Sequence, residues 1–203
     1  MSGTNVPPRG EARREAILRA TLALIGEHGA NAVTHRAVAA EAGVPLSATT
    51  YWFSSRDELL EESLRLAARE EVGRLERLVV NLAPRQLAIA EWAEAVAAEL
   101  AGDLARDRGR HFALAELALE AGRRRGLRDE VQRWHDAHLR LAELGLRAAG
   151  SDDPASDAPI VVAALSGFVL AQLSLPNPGF EHEVLRPALE RLFARLVAEA
   201  AAV

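Results

Sequence analysis

The chain has no cysteine, which excludes disulfides, thiol catalysis and thiolate metal sites. It has no lysine either; all 24 basic residues are arginine, a bias that a GC-rich genome produces by itself. No apolar run approaches the roughly 18 residues that a membrane span needs. The first ten residues, Met1 to Gly10, are polar and Pro-containing, without the apolar core of a signal peptide. These absences predict a cytoplasmic protein. Alternating or β-branched runs are missing, so no strand is expected. Enzyme signatures are missing as well. There is no phosphate-cradling glycine loop and no nucleophile elbow. A di-metal carboxylate bundle needs Glu-x-x-His pairs, and no histidine here has Glu three residues before it. His135 and His138 have metal-pair spacing but no evident further ligands. The expectation is no enzyme, no cofactor and no metal.

What remains is 203 residues, 49% apolar and 26% charged, ample for a buried core. The net charge is −5, unevenly spread. Through Arg56 there are six arginines against four glutamates; beyond it, 18 arginines face 25 acids. A mildly basic head on an acidic body permits DNA binding by the head.

Helix formers dominate, and breakers divide the chain into about nine helical pieces. The first spans about Glu11–Glu27. A second runs from Thr34, a good N-cap, to Ala42 before Gly43. A short third covers about Leu46–Phe53. The fourth starts at Ser55, with Glu58 at capping-box spacing. Its seam, Leu60, Leu64, Ala67, Leu75, Leu78 and Leu82, is interrupted by Glu71. Pro84 opens a fifth helix. The sixth spans about Asp107–Ala121 and the seventh Leu127–Ala149. A loop by composition fills Gly150 to Pro159. The nearly all-apolar eighth runs Ile160–Leu175, and the ninth from Phe180 to the end. The fold class is all-α: an N-terminal three-helix helix-turn-helix domain (1–56) and a C-terminal helical-bundle domain (57–203).

Chemistry concentrates in Val33 to Leu60. A helix with small inner residues, Ala37 and Ala40, ends at Gly43, and a turn of about three residues leads to a short helix. That is helix-turn-helix spacing. Val38 and Ala42 can pack on Ile17, Leu22 and Phe53. The third helix offers Ser47, Thr49, Thr50, Tyr51 and Trp52, groups that hydrogen-bond phosphates and base edges. Thr34 stands at a helix N-terminus, a phosphate-binding position, and Arg56 starts the fourth helix. Arg9, Arg13 and Arg14 form either a groove-entering arm or a solvated face.

The Glu27-His28-Gly29 end of the first helix, Thr34 to Val44, Tyr51-Trp52-Phe53 and Ser55 to Leu60 together resemble the DNA-binding domain of the TetR family of bacterial transcription regulators. The resemblance is close over about Glu11–Leu60; beyond, only length, helix count and two final apolar helices agree. It implies that Thr34 and Arg36 contact phosphates and that Thr50, Tyr51 and Trp52 face DNA. Ser47 and Ala48 would approach bases, Arg56 would touch phosphate, and Phe53 would be core. Two positions depart from the family pattern: Pro45 stands in place of the usual N-cap Ser, and Thr50 in place of a frequent Tyr.

The resemblance also implies a dimer that binds a small effector, most often a repressor released from a palindromic operator. Apolarity of the last two helices (about 160–175 and 180–201) points independently to a homodimer interface. In the body, Trp92, Phe112, Trp134, Phe168 and Gln172 lie on or beside apolar seams and read as core or as effector-pocket wall. His138 reads as a satisfied buried histidine or a ligand group. Glu71 is the candidate polar anchor unless it points to solvent. Effector binding would shift the fourth helix and change the spacing between reading heads. The competing class, a bundle that only binds proteins, predicts no salt-dependent DNA affinity.

Overall fold

The computed structural model describes residues 9–82 and 88–200. Among the described residues there are helices and no strands. The N-terminal head comprises α1 (Arg9–His28), α2 (His35–Glu41) and α3 (Leu46–Trp52). The body comprises α4 (Arg56–Leu82), α5 (Ile89–Arg106), α6 (Arg108–Arg123), α7 (Arg128–Ala149), α8 (Pro154–Ser174) and α9 (Arg186–Ala200). A 3-10 turn, Ala30–Ala32, separates α1 from α2, and a wider π-type turn, Phe180–Leu185, leads into α9. The expected start of the fifth helix at Pro84 lies outside the described residues.

Local chemistry sets the ends of α2. Thr34 accepts a hydrogen bond from the Ala37 N–H at 3.1 Å, a side-chain N-cap. At the other end Gly43 has φ 63°, the left-handed value that glycine adopts without strain. Its N–H donates to Ala40 O and the Val44 N–H to Ala39 O, the double bond of a Schellman cap. The small residue that α2 buries is Ala39, not Ala40, which is exposed. Val38 anchors the buried face, and two residues further on is a 200° rotation, so Ala40 must face outward.

Two apolar clusters fill the interior. The first joins Ile17, Val38 and Phe53 of the head to Leu60, Leu64, Leu117 and Leu127 of the body. The second joins Ala93, Leu146, Val161, Leu189 and Phe193 near the far end. Head and body also meet backbone to backbone: a Cβ on Gly26 of α1 would lie 2.6 Å from Gly109 Cα of α6.

The Gly150–Pro159 loop expectation is corrected. α8 begins at Pro154, capped by Asp153, whose carboxylate accepts from the Ser156 N–H at 3.2 Å. Proline suits the first turn, where N–H groups have no helical partner. Pro159 removes one further bond, and Ala158 is fully buried in the second cluster. The longer α8 also revises the hydrophobic-run expectation: by length and composition, with mean hydropathy 1.5, it could cross a membrane. In the fold it packs along α7.

Candidate functional site

α3 hangs from α2 by Thr49, which is buried and donates to Leu46 O at 2.8 Å and His35 O at 3.5 Å. It begins at Leu46 after Pro45, whose backbone is extended (φ −59°, ψ 145°) and whose side chain makes no cap. With Thr49 inward, Ser47, Thr50 and Tyr51 face solvent, and Tyr51 is 79% exposed. Trp52 and Ala48 are half-buried against the head core. The Trp52 ring lies edge-on to Tyr51, centroids 5.2 Å apart, and 3.5 Å from where a Cβ on Gly10 would stand. Phe53 is fully buried, as core. Thr34 and Arg36 are exposed at the start of α2. The α3 face and the α2 N-terminus therefore form one polar, aromatic-tipped surface fit to meet a polyanion.

Two arginines have other employment. Arg56 donates through Nε to Val33 O at 2.7 Å and through a terminal nitrogen to Ala30 O at 2.6 Å, so its fork clamps the turn before α2 onto α4. Glu116 of α6 holds the same turn from the opposite side, accepting from the Ala30 N–H at 3.0 Å. Burial, chiefly, pushes the Glu116 carboxyl up despite that bond. Arg14 pairs with Glu62 at 2.8 Å and sits over the Phe53 ring. Arg13 is exposed, and the Arg9 side chain is outside the described residues.

The body holds a polar layer between its apolar clusters. Glu71 is buried, not solvent-facing. Arg74 donates to both its oxygens, at 2.7 and 3.0 Å, and Arg110 of α6 bonds it too. Arg110 also bonds Asp103 of α5, which His111 approaches at 3.0 Å. Burial opposes the charge on Glu71 and Asp103, yet the bond and charge of Arg74 hold the Glu71 carboxyl below the usual range, and the bond from His111 with the charges of Arg74 and Arg110 holds Asp103 well below it. His138 lies beside this layer, its Nδ1 3.0 Å from Trp134 O; burial pushes its pKa down. Trp92 is buried on Gly145, and Trp134 is half-buried. Phe112 lines an open groove of about 610 Å³ between α1, α4 and α6. Phe168 packs on the second cluster, and the Gln172 amide exchanges bonds with the Asn177 backbone. The structure thus places His138 beside Glu71 and Trp134, packs Trp92 of α5 on Gly145 farther along α7, and leaves Phe112, Phe168 and Gln172 apart.

Arg74, Asp103, Arg110 and His111 were not among the sequence candidates. One signal was available. Asp103 continues the Val96–Leu100 seam by one step, and His111 shares the Leu114–Leu117 stripe, so each is a polar group at an apolar position.

Comparison with known proteins agrees with this geometry. Residues 17–63 match the model for bacterial regulatory proteins of the TetR family, and 87–199 match the tetracyclin repressor-like C-terminal domain. The chain is 35% identical over 77 residues to the HTH-type transcriptional regulator PksA of Bacillus subtilis (strain 168), covering 37% of this chain. It is 43% identical over 51 residues to the dual regulator CecR of Shigella flexneri, 25% of this chain. These matches span 38% and 22% of those relatives' own lengths. Among solved structures, a TetR-family member from Streptomyces coelicolor A3 superposes with TM-score 0.69 and 32% identity, over 91% of this chain and 98% of that one. The multidrug binding protein EbrR, solved with imidazole, superposes at 0.66 and 32% identity, over 92% and 96%, and is also known with ethidium. The chain belongs to the TetR family and is a DNA-binding transcription regulator, not an enzyme.

Proposed function

We propose that this regulator is a cytoplasmic repressor that binds a palindromic operator as a homodimer and leaves it when a small molecule enters the body. Residues 1–56 read DNA; residues 57–203 bind the effector and dimerise. The observation that carries the reading is the outward face of α3. It presents Ser47, Thr50 and Tyr51 to solvent, with Tyr51 79% exposed, while Thr49 and Phe53 fix the helix from behind. The phenol and the neighbouring hydroxyls lie on one face of a short helix, a set of groups able to hydrogen-bond phosphates and base edges. Thr50, Tyr51 and Trp52 contact DNA directly, and Ser47 and Ala48 approach base edges. Thr34 and Arg36 hold phosphates. Arg56 reaches a phosphate with what its clamp leaves free, being 39% exposed.

Dimerisation through α8 and α9 is supported by an uncovered apolar face on α8. Ile160, Leu170 and Leu175 are exposed, and Ala163, Gly167 and Ala171 between them are small enough for close helix approach. Two-fold pairing sets reading helices about 34 Å apart, or a multiple, to match a palindrome. Effector binding is supported by the polar layer around Glu71 and by the likeness to EbrR, a multidrug binding protein solved with small molecules.

Selection of binding sites from random duplex DNA tests the reading. The expected product is a palindrome. Thr50→Ala with Tyr51→Ala then abolishes binding without lowering the melting temperature, and the protein sediments as a dimer at micromolar concentration. Intact operator affinity in the double variant would refute the α3 assignment.

A further inference from the structure

The densest run of positive charge in the chain lies in the body, which is otherwise acidic. Arg123, Arg124, Arg125 and Arg128 fall within six residues, and no acid stands between Ala121 and Arg128. They form the corner between α6 and α7, where a 3-10 turn, Arg125–Leu127, joins the two helices. The corner is held in place from behind. Leu127 is fully buried in the first apolar cluster, its N–H donates to Arg124 O at 3.1 Å, and Arg65 of α4 donates to Gly126 O at 2.9 Å. With Leu127 inward, Arg123, Arg125 and Arg128 are exposed.

This corner stands at the head end of the body. α4 starts at Arg56, and α7 runs beside it in the same direction. Arg65 faces Glu130 at 4.0 Å near their starts, and Arg140 faces Glu76 at 3.7 Å farther along. Arg124 pairs with Asp57 at 3.2 Å. Asp57 adjoins Arg56, whose clamp on Val33 O leads directly to Thr34. The basic corner is therefore continuous with the positions assigned above to phosphates, Thr34, Arg36 and Arg56.

Its charges are not all matched. Arg124 holds Asp57, Glu61 and Glu120, the last shared with Arg123. Arg65 spans Glu61, Glu62 and Glu130, while Arg14 also holds Glu62 and Arg133 also holds Glu130. Asp57 has Arg56 as a second neighbour. Each of these carboxylates thus has an arginine within 4.0 Å. Asp129, exposed in the first turn of α7, pairs with none among the described residues. Against that single acid, Arg125 and Arg128 also pair with no carboxylate there. A helix C-terminus favours cations, which accounts for Arg123 and for Arg128 reaching the Ala121 carbonyl oxygen at 3.4 Å. It does not account for Arg125, which lies beyond the α6 cap at Arg124.

Resting on the DNA reading above, we propose that this corner is a second contact with the operator. The guanidiniums of Arg125 and Arg128 grip backbone phosphates of the duplex just outside the half-site that α3 reads. A guanidinium fork matches phosphate geometry. Phosphate contacts carry no sequence information, so the corner lengthens the footprint and strengthens binding on any flank. It also makes the body itself, not the head alone, a DNA-touching part.

The test uses the full-length protein and the selected palindrome, once with about ten further base pairs on each side, one helical turn, and once trimmed to the palindrome. The variant is Arg125→Gln with Arg128→Gln. Each phosphate contact contributes about 0.9 to the slope of log affinity against log salt, so on the long duplex the slope flattens by about 1.8 and affinity at about 0.1 M salt falls on the order of tenfold to a hundredfold. On the trimmed duplex the variant and the wild type bind alike. Ethylation interference places the lost phosphates outside the palindrome. Arg147→Gln, an exposed arginine at the opposite end of α7, changes neither slope nor affinity. Arg125→Gln alone breaks no bond of the fold; it serves if the double variant melts early, and flattens the slope by about 0.9. An unchanged slope in these variants, or a loss equally large on the trimmed duplex, would overturn the corner contact and leave α3 as the reader. A wild-type protein that selects no palindrome would instead sink the operator reading on which the corner contact rests.

Discussion

Gly26→Ala places one methyl group where α1 and α6 touch without side chains between them. The added Cβ would stand 2.6 Å from both the Cα and the carbonyl oxygen of Gly109, and 2.7 Å from its carbonyl carbon. No rotamer relieves this, because the obstacle is main chain. Ordinary carbon contacts lie at about 3.5–4.0 Å, so the helices must part by roughly 1 Å. Overpacking of this kind costs about 1–3 kcal/mol. Alanine's advantage over glycine inside a helix offsets about 1 kcal/mol of that. Gly122→Ala is the internal control. It lies in α6, where an added methyl would meet nothing within 4 Å, and it keeps the helix gain without the clash. The two variants should therefore differ by about 1–3 kcal/mol, Gly122→Ala being the more stable. At roughly 2–4 °C per kcal/mol for a chain of this size, calorimetry resolves the gap. Gly26→Ala should also weaken operator binding, because α6 grips the Ala30 turn through Glu116. Equal melting temperatures for the two variants would refute the close α1–α6 contact.

Arg36→Ala should leave stability within about 0.5 kcal/mol, since the side chain is exposed, while flattening the salt dependence of operator binding by about one counterion; Arg56→Ala should also lower the melting temperature, because its two carbonyl bonds are lost. Acid should destabilise the body. Asp103 and Glu71 have folded pKa values below their unfolded ones, so their contribution is full above the unfolded values, about 4, and is lost as pH falls. Urea midpoints between pH 6 and 3 should fall less steeply for Asp103→Asn than for the wild type. Gly167→Arg, on the outward face of α8, should yield a folded monomer by sedimentation that no longer binds the operator.

Features with local causes were legible in the sequence. Thr34 caps α2 and Gly43 ends it because both acts need nothing beyond a few neighbouring residues. The α3 start at Leu46 came out as expected even with proline in the capping place. Features decided across the chain were not legible. Asp153-Pro154 looks like a loop until Ala158 and Val161 find an apolar cluster to bury in. The clamp that Arg56 makes on Val33 O and Ala30 O was not legible either, because the fold alone brings those carbonyls within its reach. Glu71 was visible as a polar residue in an apolar seam. Its partner Arg110 arrives from another helix, and no pattern within α4 announces it.

The first apolar cluster has a consequence for building hybrids. Phe53, Val38 and Ile17 are sealed by Leu60, Leu64, Leu117 and Leu127, so the N-terminal head has no private interior. Cutting the chain at residue 56 and joining the head to another member's body would expose half of a shared seam on each side. A working transplant must carry the matching positions of α4, α6 and the approach to α7 along with the head. On the proposed reading, new DNA specificity is more simply sought by changing Ser47, Thr50 and Tyr51 in place, since all three are exposed among the described residues.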